Sequence, residues 1–408
     1  VQVADTGAQI SANFGSLMDL GESVTTINQN ADDTSHLQLS MALWKTGTET
    51  LAKIESNYTV DLSDATAAEA ALAANTSNVA SIAIKDSAVK ISSSFDTLST
   101  NVKISSIVLT GAVEPIQITQ TQLDAGSVLL DTIQGGYSLA IKNANVSAAS
   151  DLNANTHVTS VEMSGTASEI SDALSYLHQF GPKLKSLSVT GNDPSMSLSY
   201  VDFQKYKNVL GLIPQNFHLE LTDVRASDAI TQDLDSQFDF SFKVKDSAVQ
   251  IASNIAGLES LQTKLTEITT IEELPVLKMK AADYLANQDV LAKINTDSSG
   301  LSYQLELTGG DVSFARSLLE DAALAETISS LDITDTALTI SNNFDLISDD
   351  KILNARLTVG TMPLSLTGTQ YSNTTSLSKV RGTFDINVKE AALTQTSTLE
   401  ADTRVLSY

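Results

Sequence analysis

The sequence predicts an α/β repeat solenoid of parallel strand–helix modules, about five 80-residue units of three modules each. Three observations predict it. A corner of Asp (once Gly) followed by Ser or Thr recurs at Asp5, Asp86, Gly165, Asp246 and Asp335, at successive spacings of 81, 79, 81 and 89 residues. The same apolar positions follow each corner. Strand-like alternation of apolar and polar residues then recurs between helical stretches along the whole chain.

Each element follows from its residues. Five residues after each anchor stands Ile10, Ile91, Ile170, Ile251 or Ile340, and nine after stands Phe14, Phe95, Leu174, Ile255 or Phe344. Twelve after stands Leu17, Leu98, Leu177, Leu258 or Ile347. Steps of four and three place these side chains on one helical stripe. The residue after each anchor, Thr6, Ser87, Thr166, Ser247 or Thr336, sits where an N-cap belongs, since its hydroxyl can accept from a first-turn N–H. Gln9, Glu169 and Gln250, three residues further on, predict capping boxes in units one, three and four.

A strand such as "KISSIVLTG" (103–111) comes next, then a second helix with Trp44, Leu123, Phe203, Tyr284 or Tyr371 near its start. Another strand follows ("YTVDLSD" 58–64, "YQLELTG" 303–309), and a third, less regular helix leads to the next anchor. The units are approximately 1–80, 81–160, 161–241, 242–330 and 331–408, and no Pro/Gly/Ser-rich linker divides them. One continuous solenoid is therefore expected over 1–408 rather than five separate domains. Short links such as "GAVEP" (111–115) leave room for a second, minor sheet. The chain opens in an anchor strand, "VQVAD", with no signal peptide, and stops near where the next anchor strand would begin. Open strand edges at both ends favour pairing with flanking repeats or further copies.

Composition bounds the function. With 49 acidic against 24 basic residues, the net charge of −25 excludes a basic nucleic-acid-binding face. The chain contains no Cys, which removes disulfides, thiolate metal sites and Cys nucleophiles. No apolar run is long enough to span a bilayer, so no membrane insertion is expected.

The phrase Asp-Ser/Thr-Ala-x-x-Ile-x-x-x-Leu/Phe, followed by "ISSIVLTG" and by "LLDTIQGGYSLAIK" (129–142), resembles the tandem repeats of giant secreted proteobacterial surface proteins, surface-layer-like and adhesin-like. The resemblance covers the whole chain. It implies an extracellular location on a bacterial surface and no catalytic residues. The glycine-rich calcium-binding nonapeptides often found near the ends of such proteins are absent from this sequence.

Candidate chemistry is sparse. His36, His157, His178 and His218 fall at non-equivalent places and form no metal-ligand spacing. The anchor Asp residues lie three modules apart, about 14 Å in a solenoid, too far to share a cation. "NTDSSGLSYQLE" (295–306) places Asn295, Asp297, Ser299, Gly300 and Glu306 at positions 1, 3, 5, 6 and 12 of an EF-hand-like loop. Asn295, Asp297, Ser299 and Glu306 are thus a candidate calcium site, against the alternative of a polar turn; no other cofactor is indicated. Trp44, Phe203, Tyr284 and Tyr371 are read as core rather than as a carbohydrate platform. Asn57, Asn75, Asn145 and Asn373 fit glycosylation sequons at a frequency expected of so Ser/Thr-rich a chain.

The sequence thus predicts a non-enzymatic extracellular structural protein, a segment of a surface layer, filament or giant adhesin acting by end-to-end stacking. Its partners would be itself, head to tail, or flanking repeats, with cell-surface polysaccharide as a further partner. The alternative is a carbohydrate-binding or polysaccharide-cleaving solenoid.

Overall fold

Each anchor corner folds as the cap residues dictate. In the structure, a computed structural model that describes all residues except 193, 215–216, 232–237, 296–302 and 361, Thr6, Ser87, Thr166, Ser247 and Thr336 are all N-caps. Their hydroxyls accept from the backbone N–H groups of Gln9, Lys90, Glu169, Gln250 and Thr339. Behind them the stripes are buried: the helix Ala88–Ser99 covers Ala88, Ile91, Phe95 and Leu98. Phe203, Tyr284 and Tyr371 are core residues, and Trp44 is half-buried.

The anchor carboxylates do more than mark strand ends. Asp86 accepts from the N–H of Ser87 at 2.8 Å and from that of Ala67 at 3.0 Å, so one side chain holds the starts of two helices. Asp246 binds Ser247 and Ala226 in the same way, and Asp335 binds Thr336 and Val312. This corrects two of the three expected capping boxes. Asp5 and Asp246 take the cap N–H that Gln9 and Gln250 would have needed. Where the anchor is Gly165, the Thr166 N–H is free for Glu169, which accepts it at 2.7 Å and completes the box. Gly165 has its own reason: a Cβ there would lie 2.4 Å from a methyl of Val146.

The strands are parallel but do not form one continuous sheet. Among the described residues they divide among six separate sheets of two to five strands, and the chain forms two compact units. Unit one (Val1–Pro194 with Tyr206–Asn216) holds the sheets beginning at Gln2–Asp5, Leu37–Ser40 and Ile116–Thr119. Unit two (Ser195–Lys205 with Phe217–Tyr408) holds those beginning at Ser195–Ser199, Val276–Lys280 and Leu364–Thr367. The expected 1–408 solenoid fails at its links. Strand Ile104–Thr110 is followed at once by Ile116–Thr119, and likewise Leu184–Thr190 by Ser195–Ser199, Leu265–Thr270 by Val276–Lys280 and Ile352–Leu357 by Leu364–Thr367. These links are far shorter than the dozen residues that a parallel crossover requires, so each new strand starts a new sheet. Pro115, Pro194, Pro275 and Pro363 stand in the links, just before the incoming strand.

The expectations built on the solenoid fall with it. Short sheets packed inside compact units are not the elongated tandem module of surface-layer or adhesin proteins, and the resemblance to those proteins does not hold. End-to-end stacking as a surface layer, filament or adhesin segment, with copies or flanking repeats as head-to-tail partners, is overturned by the same observation. So is the alternative of an extracellular polysaccharide-binding or polysaccharide-cleaving solenoid. Among the described residues, no helix is long and apolar enough to cross a membrane.

Two further devices shape the corners. Lysines just before strands turn back onto the carbonyls that end neighbouring helices. Lys53 reaches Gly21 O, Lys103 reaches Thr76 O and Lys379 reaches Asp349 O, each at 2.7 Å, and Lys293 and Lys351 reach Gln262 O and Ala325 O. A cation there complements the negative end of a helix. At the other end of the strand–helix turn the backbone enters the left-handed region at Asp64, Asn143, Asp223, Gly309 and Glu390, with φ between 52° and 77°.

Three outcomes follow from these corners. Gly165→Ala is expected to cost about 1–3 kcal/mol in urea unfolding, and Val146→Ala in the same chain to recover part of the loss. Glu390→Gly is expected to stabilise by about 0.5–1 kcal/mol, because it relieves a left-handed residue with a Cβ; a lower urea midpoint would contradict this. Glu69 is held at a pKa of about 2, below its ordinary 4.5, first by the hydrogen bond from Lys45 and then by the Thr66 N–H. A depressed carboxylate stabilises above its unfolded pKa and loses that contribution as pH falls. Between pH 5 and 2 the wild type should therefore lose more stability than Glu69→Gln, read from urea midpoints across that window.

Candidate functional site

The calcium loop predicted from the sequence is only partly described. Asp297, Ser299 and Gly300 lie outside the described residues. Asn295 donates to the carboxylate of Glu267, and Glu306 pairs with Lys278 at 2.7 Å. Both described members are thus engaged with other side chains. Among the described residues no group of three or more His, Asp and Glu could hold a metal ion.

The histidines are each held in place. His157 stacks on Tyr137 with ring centroids 4.0 Å apart, and His178 meets Tyr206 edge-on. His36 Nδ1 lies 3.0 Å from Asp61. Burial raises the pKa of the Asp61 carboxyl, but hydrogen bonds with Ser81, His36 and Gln38 together outweigh it and leave the pKa below the ordinary value. His218 sits between Asp239, 3.1 Å from Nδ1, and Ser241, whose Oγ lies 2.9 Å from Nε2. Sequence spacing could not reveal this trio, because adjacent strands bring it together. The order of atoms is that of a proton relay, but a relay also needs a shielded carboxylate and oxyanion donors. The Asp239 side chain is 76% exposed, and the N–H of Phe242, next to Ser241, is donated to Lys264 O at 2.9 Å.

A different arrangement occupies the five-stranded sheet of unit two, ordered Val276–Lys280, Gln304–Gly310, Ile328–Asp335, Ile352–Leu357 and Val380–Arg381. Its inner face is apolar (Leu277, Leu305, Leu331, Ile352), as period-two alternation requires. Its outer face carries a cleft of about 450 Å³. Lys280, Thr308, Gly309, Asp332, Thr334 and Arg356 line it. Lys280, Thr308 and Asp332 are in register across three strands, and Thr334 is in register with Arg356.

The cleft opens where two of the other sheets are closed by an ion pair, which the sheet with Asn143 and Ser164 at the corresponding places also lacks. In the sheet containing Val60–Ala65, the left-handed Asp64 meets Lys85 on the next strand at 3.5 Å. In the sheet containing His218–Val224, the left-handed Asp223 meets Lys245 at 3.4 Å. Lys85 and Lys245 directly precede anchors Asp86 and Asp246; before Asp335 the residue is Thr334, and the left-handed residue is Gly309. Both partners of the ion pair are thus missing here, and so is the bulk of their side chains. Exposed pairs of this kind stabilise little, but they fill space.

Two cations flank the opening. Among the described residues, the side chains of Lys280 and Arg356 have no hydrogen-bond or ion-pair partner, and both residues are exposed. Lys280 is also the N-cap of the helix Ala281–Ala286, with no side-chain cap bond. The comparable caps Ser40, Thr119, Ser199 and Thr367 all accept a first-turn N–H. A Lys at this place forgoes about 1 kcal/mol of capping. Asp332 is the one carboxylate in the lining. It accepts from Asn354 at 2.7 Å, and Asn354 accepts from Arg381 at 2.7 Å, so its charge is tied to a third cation.

No family model, curated protein or solved structure matches the chain. Its function is therefore read from its own side chains.

Proposed function

We propose that this chain is a non-catalytic binding protein whose ligand site is the cleft on the five-stranded sheet of unit two. The carrying observation is the combination, at one cleft, of Gly309 and Thr334 where two other sheets place a closing ion pair and of a Lys at a cap position where the comparable caps are Ser40, Thr119, Ser199 and Thr367. The non-catalytic reading is supported by the employment of the groups best suited to chemistry. The anchor carboxylates hold helix starts, and the histidines are bonded to Asp61, Tyr137 and Asp239 or packed on Tyr206. A location outside the cell accompanies this reading, supported by a chain free of Cys and poor in Lys and Arg.

Backbone-amide NMR with a panel of small anionic, cationic and neutral fragments tests the proposal. Shifts are expected at Lys280, Thr308, Gly309, Thr334 and Arg356, with the fragments recovered unchanged. Restoring the closing pair with Gly309→Asp and Thr334→Lys should abolish those shifts while leaving the fold's spectrum intact. Shifts confined to other surfaces, or fragments converted to product, would refute it.

A further inference from the structure

Resting on that reading, we infer that the cleft takes an elongated small molecule with an oxyanion group, carboxylate or phosphate, at each end. The chain as a whole carries a charge of −25, which repels anions. The cleft reverses that sign locally. Lys280 and Arg356 contribute two positive charges against the single negative charge of Asp332, and Arg381 stands behind Asn354 as a third cation.

The donors differ in kind. Arg356 offers a planar fork that matches the two oxygens of a carboxylate or phosphate, and the hydroxyl of Thr334 lies in register beside it. Lys280 offers a point charge with three donors, in register with the hydroxyl of Thr308. The strands bearing the two cations are three sheet spacings apart, about 14 Å between their backbones. Side chains on strands stand roughly perpendicular to the sheet, so the two cationic heads stay apart and one compact anion does not bridge them without both side chains leaning inward. A ligand with an anionic group at each end spans them, and Asp332, on a strand between those of the two cations, then faces its uncharged centre.

The cap position makes the inference separable from a structural role. If Lys280 is kept for a ligand, Lys280→Ser should restore the helix cap and raise the thermal midpoint while weakening binding. If Lys280 serves the fold, the same change should lower the midpoint.

Calorimetric titration of the whole chain tests the inference. The probes are succinate, glutarate and adipate as two-ended carboxylates, glycerol 3-phosphate and inorganic phosphate as phosphate sources, acetate as a one-ended acid, and 1,4-butanediol as a neutral control. At least one dicarboxylate should bind at least tenfold more tightly than acetate, inorganic phosphate and butanediol, and more weakly as salt is raised. Arg356→Gln and Lys280→Ser should each weaken it at least tenfold, with the Lys280→Ser midpoint raised. Preference for glycerol 3-phosphate over every carboxylate would overturn the two-ended form, as would acetate or inorganic phosphate binding as well as the dicarboxylates. Binding of butanediol or of a cationic fragment at the cleft amides, unaffected by Arg356→Gln, would overturn the oxyanion class while leaving the binding site in place. Cleft amides unmoved by any probe would sink both proposals.

Discussion

The rest of the structure depends on a carboxylate with two backbone partners. A helix starts with unsatisfied N–H groups, and a buried start without acceptors is costly. In this chain one Asp at the end of a strand accepts from the cap of its own helix and from the first turn of the helix before it, as Asp86 does with Ser87 and Ala67. That bond couples neighbouring strand–helix turns, so adjacent strands arrive in parallel with their apolar faces on the same side. Asp33 and Glu272 provide a similar link from loops, accepting from Gly7 and Ala248. Asp33 is accordingly held at a pKa of about 2, first by the Ser35 hydroxyl and then by the N–H groups of Ser35 and Gly7.

The same constraint explains which corners may vary. Gly165 lacks the carboxylate, and its turn survives because Glu169 takes the cap N–H and Asn145 caps the turn before it. Exchange between anchor Asp and capping-box Glu is a local substitution of one acceptor for another. The site on the unit-two sheet is a variation of another sort. There the bulge persists, but the outward ion pair and the side-chain cap at Lys280 are gone, and the freed space lies between two cations with no other partner among the described residues.

Much of this was legible in the sequence at the level of the corner. The caps Thr6, Ser87, Thr166, Ser247 and Thr336 and the buried stripe below each one follow from helical spacing alone. The sheet arrangement was not, because a link such as 111–115 has to be judged by whether it can cross over a parallel pair. That question concerns length and the Pro before the next strand, not similarity between units. The boxes expected at Gln9 and Gln250 failed because two acceptors compete for one N–H, and a motif read in isolation does not show the competitor. The contacts of His218 were invisible because Asp239 and Ser241 belong to the next strand. The cleft left a readable trace in Lys280 at a cap position and Gly309 at a bulge, but only the register across four strands brings them to one place with Arg356.

The lysines that turn back onto helix carbonyls give the chain a chemical signature of its folded state. An amine hydrogen-bonded to a carbonyl, as in Lys53, Lys103, Lys293, Lys351 and Lys379, must leave that bond before it can attack an acylating reagent. Lys280, with no such bond among the described residues, is ready at once. The order in which these amines acquire acyl groups thus records the opening of individual helix ends, and mass spectrometry of partly labelled chains turns the corners into separate clocks for local unfolding.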